Sequence, residues 1–316
     1  MSCSKPGTRD RLTRFHIIPR SLKCSRSISS PSEKSLATSP FPISLRYAFL
    51  KKWWNIRPRP ITMTSLNRKP THLQAYYDSI WSSPHPERPV QEEILTRLHF
   101  QTSCRAFALE CLGPLKGQRI LEIGPGRGQE TLLFAREGAQ VYALDISSKS
   151  LELIKNLAKA HGVSAQITLI HADAERLPFR GGTFTRVFAQ TTLMHTDFLQ
   201  VARESARVLS PGGKAVFMEP LRSNPFLYLY RTLCSEFRST APCYLRLRDV
   251  RQMGRYFKAY FHREFYLTAL IGLYLTEEKK THREIKRNLE RLDNWLTHKL
   301  PFLRSFCWMT VMSFEK

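Results

Sequence analysis

The run Leu121 to Gly128, LEIGPGRG, constrains this chain more than any other, because it lies directly between a short apolar segment and a helical one. Glycines let a backbone turn sharply off a strand and let a ligand approach with no Cβ in the way. A dinucleotide fingerprint counted from Gly124 and Gly126 needs a glycine at 129, where Gln129 stands, so a dinucleotide site is disfavoured. What the run does offer is an acid followed by three alternating glycines: Glu122, Gly124, Gly126 and Gly128.

The surrounding pattern is regular. Arg119 to Ile123 reads as a strand, Glu130 to Glu137 as a helix and Gln140 to Leu144 as a second strand. A helix over 151–161, strands over 165–170 and 185–189, a helix over 198–209 and a strand over 214–218 follow. Strands alternating with helices imply right-handed βαβ units and a mostly parallel sheet. The closing run Ser305 to Phe314, rich in strand formers, suits a terminal edge strand paired with the Phe261 to Leu267 region. The expected fold is therefore α/β: a Rossmann-like doubly wound sheet, mostly parallel with an antiparallel C-terminal edge strand, and helices on both faces.

Charge is divided unevenly along the 316 residues, whose formal net charge is +23. Residues 1–62 hold 13 basic and 2 acidic side chains among many serines and prolines. Two readings stand for that leader: an Arg-rich, acid-poor organelle transit peptide, or an extension ahead of a working start at Met63. Residues 63–220 are nearly balanced at +3, and 221–316 carry +9. The expected organisation is a disordered leader over 1–62 and one domain over 63–316, with 221–300 as a helical, aromatic lid and 305–314 as the last strand. Thr281 with Glu284 offers a capping box for an amphipathic helix carrying Ile285, Leu289, Leu292 and Leu296.

Several classes are excluded. The longest nearly uncharged apolar run, Phe265 to Leu275, falls short of the roughly 20 residues of a membrane-spanning helix. Seven scattered cysteines include no C-x-x-C pair and no zinc spacing, so no metal is expected. An odd, dispersed set suits a reducing compartment, hence a cytoplasmic protein, or an organellar one if the leader is a transit peptide.

The glycine loop and the motifs after it resemble the class I S-adenosylmethionine-dependent methyltransferases, in the small-molecule group that includes ubiquinone/menaquinone methyltransferase-like enzymes, over roughly residues 74 to 220. The resemblance implies that Gly124, Gly126 and Gly128 wrap the methionine portion of S-adenosylmethionine and that Glu122 helps place its amino group. Asp145, 21 positions beyond Gly124, would accept from both ribose hydroxyls, with Ile146 beside it. The alternative for Asp145 is a solvated acid capping the helix near Ser148. Asp173 and the amide of Ala174 would read the adenine edge, and Gln190 would lie beneath the cofactor. Ser210 to Lys214 resembles the group's L-x-P-G-G turn before the fifth strand. Thr185 stands where many relatives carry an aspartate, which leaves that contact open.

A sulfonium methyl is already activated, so positioning of the acceptor is the main demand on the protein. His195 is a candidate general base and Glu219 a candidate acceptor contact, each weighed against a structural role: a loop histidine bonded to backbone and a helix-capping acid. Tyr76, Tyr77 and Trp81, with the aromatics Phe226, Tyr228, Tyr230, Tyr244, Tyr256, Phe257, Tyr260 and Phe261, are expected to wall an aromatic or lipophilic small-molecule acceptor. An Asn/Asp-Pro-Pro-aromatic motif is missing after the fourth strand, which argues against amino methylation of adenine or glutamine. Rival readings are an RNA methyltransferase, disfavoured for want of an RNA-binding module, a non-catalytic S-adenosylmethionine-binding protein, and an enzyme whose basic segments touch anionic membranes. A monomer or weak dimer is expected.

Overall fold

The computed structural model describes residues 70–82, 102–225, 243–269 and 280–316. The basic leader, Met63, Phe226, Tyr228 and Tyr230 lie outside them, as do the side chains of Trp81 and Thr281. Helix α1 spans Pro70–Ser82 and α2 spans Thr102–Leu112. The alternating core follows: β1 (Arg119–Ile123), α3 (Gln129–Arg136), β2 (Gln140–Asp145), α4 (Ser148–Ala160), β3 (Ile167–His171), β4 (Phe184–Gln190), α5 (Phe198–Val208) and β5 (Leu209–Pro220). The rest comprises α6 (Leu247–Gly254), β6 (Ala259–Phe265), α7 (Lys280–Lys299) and β7 (Met309–Glu315). Among the described residues no helix is long and apolar enough to cross a membrane.

The strands form one sheet in the order β3-β2-β1-β4-β5-β7-β6. The first five are parallel, and β7 runs antiparallel to both β5 and β6. The chain order doubles back at β1, because β2 and β3 lie on one side of it and β4 and β5 on the other. In doubly wound sheets ligands bind at that switch, outside the carboxyl ends of the strands. The predicted partnership of the last strand with the 261–267 region is present, but β7 sits between β5 and β6. The edge position belongs to β6, since β7 is buried at every residue except Glu315 and needs a neighbour on each side.

Period-two alternation explains both faces of the sheet. Ile120, Val141, Phe188, Val216 and Val311 pack with Cys104, Ala108 and Leu112 of α2 and Phe134 of α3. Leu121, Leu144, Val187, Phe217 and Met312 pack on the other side with Val201 and Ala202 of α5 and Val250 of α6. The predicted turn at 210–213 is in fact part of β5. Phe184 pairs with Leu209 while Arg186 pairs with Lys214, so the Pro-Gly-Gly stretch bulges out of a continuous strand. Lys316 holds that bulge, its N–H reaching Gly213 O and its carbonyl accepting from Gly212 N, each at 3.0 Å. Thr185, the substitution noted above, bonds to both backbone groups of Arg119 at the start of β1, far from the carboxyl ends of the strands.

A part-buried ion pair, its carboxylate buried, ties the helices together on the first face. Arg105 of α2 meets Glu130, in the first turn of α3, at 2.5 Å from Nε and 2.8 Å from Nη2. Removing one partner of a buried pair strands the other charge. Arg105→Met is expected to lose about 3 kcal/mol in denaturant unfolding, and adding Glu130→Gln should restore most of it.

Candidate functional site

A cavity of about 360 Å³ opens at the carboxyl ends of β1, β2 and β4. Its floor is the glycine loop between β1 and α3. Gly124 adopts φ +65°, and a Cβ there would collide with the Thr192 side chain. Gly128 adopts φ +75° just before α3, and a Cβ there would come within 2.7 Å of Ile154. The two glycines thus serve different ends: Gly124 lines the cavity, whereas Gly128 allows α3 to pack on α4 and does not line it. Gly126 lines the cavity, and its carbonyl accepts from Ser150 Oγ at 2.7 Å.

Two buried carboxylates face this loop. Glu122, in β1, accepts from Thr131 Oγ1 at 2.5 Å. Burial pushes its carboxyl up from 4.5 to about 8, and the neighbouring Glu130 and Asp145 add to the rise while Thr131 opposes it. Asp145, at the end of β2, accepts from Ser147 N and Ser150 Oγ, each at 2.9 Å. Burial raises its carboxyl too, against those same donors. The alternative of a solvated capping acid does not hold. Asp145 is 8% exposed, and the cap of α4 is Ser147, whose side chain accepts from Ser150 N.

The far wall comes from the loop after β3. Asp173 accepts from Glu175 N at 2.9 Å, and Ala174 sits beside it on the cavity surface. Ile146 lines the cavity between these acids, its carbonyl 2.9 Å from His171 Nε2. Gln190 ends β4 on the remaining side, and His195 closes it from a short 3-10 turn, Leu193–His195.

Glu219 has a different place from the one expected of an acceptor contact. It is fully buried and does not line the cavity. Its Oε1 accepts from Thr192 N at 2.7 Å and Leu193 N at 2.9 Å, so it caps the turn that carries His195. The chain needs that anchor because Thr191 leaves β4 at φ +55°, a left-handed conformation costly for a β-branched residue. Burial pushes the Glu219 carboxyl up to about 7, partly countered by the amides of Leu193, Thr192 and Met194.

Helix α1 covers the cavity. Leu73 and Tyr77, four residues apart and therefore on one helix face, both line it. Tyr77 meets the His195 ring edge-on at 5.5 Å and Tyr76 at 5.2 Å. Asp78 docks the helix, accepting from Ser147 Oγ at 2.5 Å. Of the expected aromatic wall, Tyr77 is present. Tyr256, Phe257, Tyr260 and Phe261 lie on or before the edge strand β6, and none of them lines the cavity. Phe257 and Tyr260 pack on Phe314 of β7, and Phe261 packs against Phe107 of α2. The sequence reading passed over Glu130, Thr191 and Thr192; an acid in the first helical turn was the local signal for Glu130, and the two threonines are placed by the exit of β4.

A family model described as a methyltransferase domain matches residues 121–217. The ubiquinone/menaquinone biosynthesis C-methyltransferase UbiE of Haemophilus ducreyi is 34% identical over 119 residues, covering 36% of this chain and 46% of that protein. Methyltransferase GfsG of Streptomyces halstedii is 35% identical over 100 residues, covering 31% of this chain and 36% of its own. The chain therefore spans less than half the length of these curated relatives. Among solved structures, geranyl diphosphate C-methyltransferase from Streptomyces coelicolor A3(2) matches with TM-score 0.55 at 14% identity, over 79% of this chain and 99% of that one. Phosphoethanolamine N-methyltransferase 2 of Haemonchus contortus matches with TM-score 0.54 at 19% identity, over 82% and 62% respectively. Residues 121–217 of this chain match a methyltransferase domain, and the sheet that surrounds the cavity is the fold those solved structures share.

Two measurements check the electrostatics. Glu122 holds its proton in the folded state up to about pH 8, while the unfolded chain releases it near 4.5. Stability without ligand should therefore fall as pH rises through that window and level off above it. Glu122→Gln should melt at an increasing margin above the parent across the same range. Glu219→Ala, which strips the acceptor from two amides, should cost about 2 kcal/mol, and Glu219→Gln, whose carbonyl still accepts, clearly less.

Proposed function

We propose that this protein binds S-adenosylmethionine in the 360 Å³ cavity and transfers its methyl group to a small, apolar or aromatic acceptor. The observation that carries the reading is the convergence of Glu122, Asp145 and Asp173 with the glycine loop on one cavity at the switch point of the sheet. The residues fit the ligand. It brings an ammonium and a sulfonium, and Glu122 offers a carboxylate whose ionised form burial has made costly, so a cation beside it restores its charge. The loop leaves room for the ligand because Gly124 and Gly126 present no side chain.

When bound, the cofactor supplies an electrophilic methyl on sulfur. Glu122 would hold its amino group, Asp145 would accept from the ribose hydroxyls, and Asp173 with the amide of Ala174 would meet the adenine. Leu73 and Tyr77 exclude water from above, which strengthens every charge interaction beneath them. His195, held by the turn that Glu219 caps, takes a proton from the acceptor. The leftover demand is orientation, supplied by the packed walls around the methyl donor.

Calorimetry with S-adenosylmethionine should show Asp145→Ala weakening affinity about ten- to a hundredfold, the range for hydrogen bonds to a charged group; unchanged affinity would overturn the assignment. His195→Ala should slow turnover far more than it weakens cofactor binding. Incubating cell extract with the protein and methyl-labelled cofactor, then identifying the labelled product, names the acceptor. Label recovered in RNA would replace the small-molecule reading.

A further inference from the structure

A second surface, apart from the cofactor cavity, carries its own chemistry. On α7, Ile285, Leu292 and Trp295 recur at helical spacing and are 40%, 43% and 58% exposed. The chain continues from α7 through Leu300 into a 3-10 turn, Pro301–Phe306, where Phe302 is 63% and Phe306 40% exposed. Scattered apolar residues are normal on a soluble surface, but a run of six large ones along one helix and the turn that follows it marks an interaction site.

The charges of α7 are sorted in a way that selects the partner. Its inner acids are used within the fold: Asp293 accepts from the amides of Leu267, Thr268 and Ala269, and Glu290 accepts from Ser103 Oγ at 2.8 Å. Its bases Arg287, Arg291 and Lys299 are exposed, against one exposed acid, Glu284, among the described side chains of the helix. The outer face is therefore both apolar and cationic. A second copy of the same face would bring like charges together. A nucleic acid would pair with the arginines but leave Ile285, Leu292 and Phe302 in water. An anionic bilayer satisfies both halves, with cations at the phosphates and Trp, Phe and Leu at the acyl boundary.

We propose that α7 and the turn after it form a peripheral docking surface for anionic phospholipid membranes. The docking is independent of methyl transfer, so its failure leaves the cofactor reading untouched. Trp295 and Phe302 insert at the headgroup level, and Arg287, Arg291 and Lys299 hold the surface by charge.

The test uses the full chain with vesicles of phosphatidylcholine alone or mixed with phosphatidylserine. Co-sedimentation is expected with the mixed vesicles and should weaken as salt rises. Arg287→Gln and Arg291→Gln should each weaken binding about fivefold. Trp295→Ala and Phe302→Ala should each weaken it about tenfold, with cofactor affinity and melting temperature unchanged. Brominated acyl chains should quench part of the protein emission in the parent, and that part should vanish in Trp295→Phe. Binding that survives all four substitutions without Trp295 quenching would place the membrane contact in the basic leader and overturn the proposal. Retention of RNA with no vesicle binding would overturn it, and so would a dimer that Trp295→Ala dissolves.

Discussion

The cavity depends on a knot of contacts between three strand exits, centred on Thr192 and the carboxylate of Glu219. Glu219 leaves β5, accepts two amides of the turn that leaves β4, and so fixes Thr192 against the loop that leaves β1. Thr192 lies so close to Gly124 that no side chain fits between them. The glycine loop, the His195 turn and the fifth strand are therefore tied to one another. Their common support is a buried acid that no ligand needs to touch. Electrostatic complementarity to a cation then follows from geometry, because Glu122 and Asp145 are held where water cannot solvate their charge.

This arrangement separates two tasks. The cavity walls are backbone turns and short acids on strand ends. Helix α1 lies over the cavity as a separate helix and docks through Asp78 onto the turn before α4. Precision in the first and exchangeability in the second is the usual economy of a fold that serves many chemistries. The outer face of α7 adds a third element, distant in sequence from the glycine loop and built from different side chains.

Much of the site was legible locally. Glu122, Gly124, Gly126, Asp145, Asp173 and Ala174 announce themselves because each stands at a fixed offset from a strand end, and a strand end is visible in apolar periodicity. For Glu219 the sequence left two roles open, an acceptor contact or a capping acid, and the structure decides for the cap. Its burial and its partners arise from β5 lying beside β4, which no local pattern states. The aromatics of 256–261 show the same limit: composition marks them as apolar, and only the pairing of β6 with β7 brings Phe257 and Tyr260 onto Phe314.

By itself the sequence determined the α/β alternation, the glycine loop with its acids, and the uneven distribution of charge, since these depend on residues near each other along the chain. Tertiary structure alone decided that β7 lies inside the sheet, that α1 covers the cavity, that Glu219 anchors rather than binds, and which charges of α7 face outward. Each of those is a question of which distant segments exclude water from one another, and burial is a property of the packed chain.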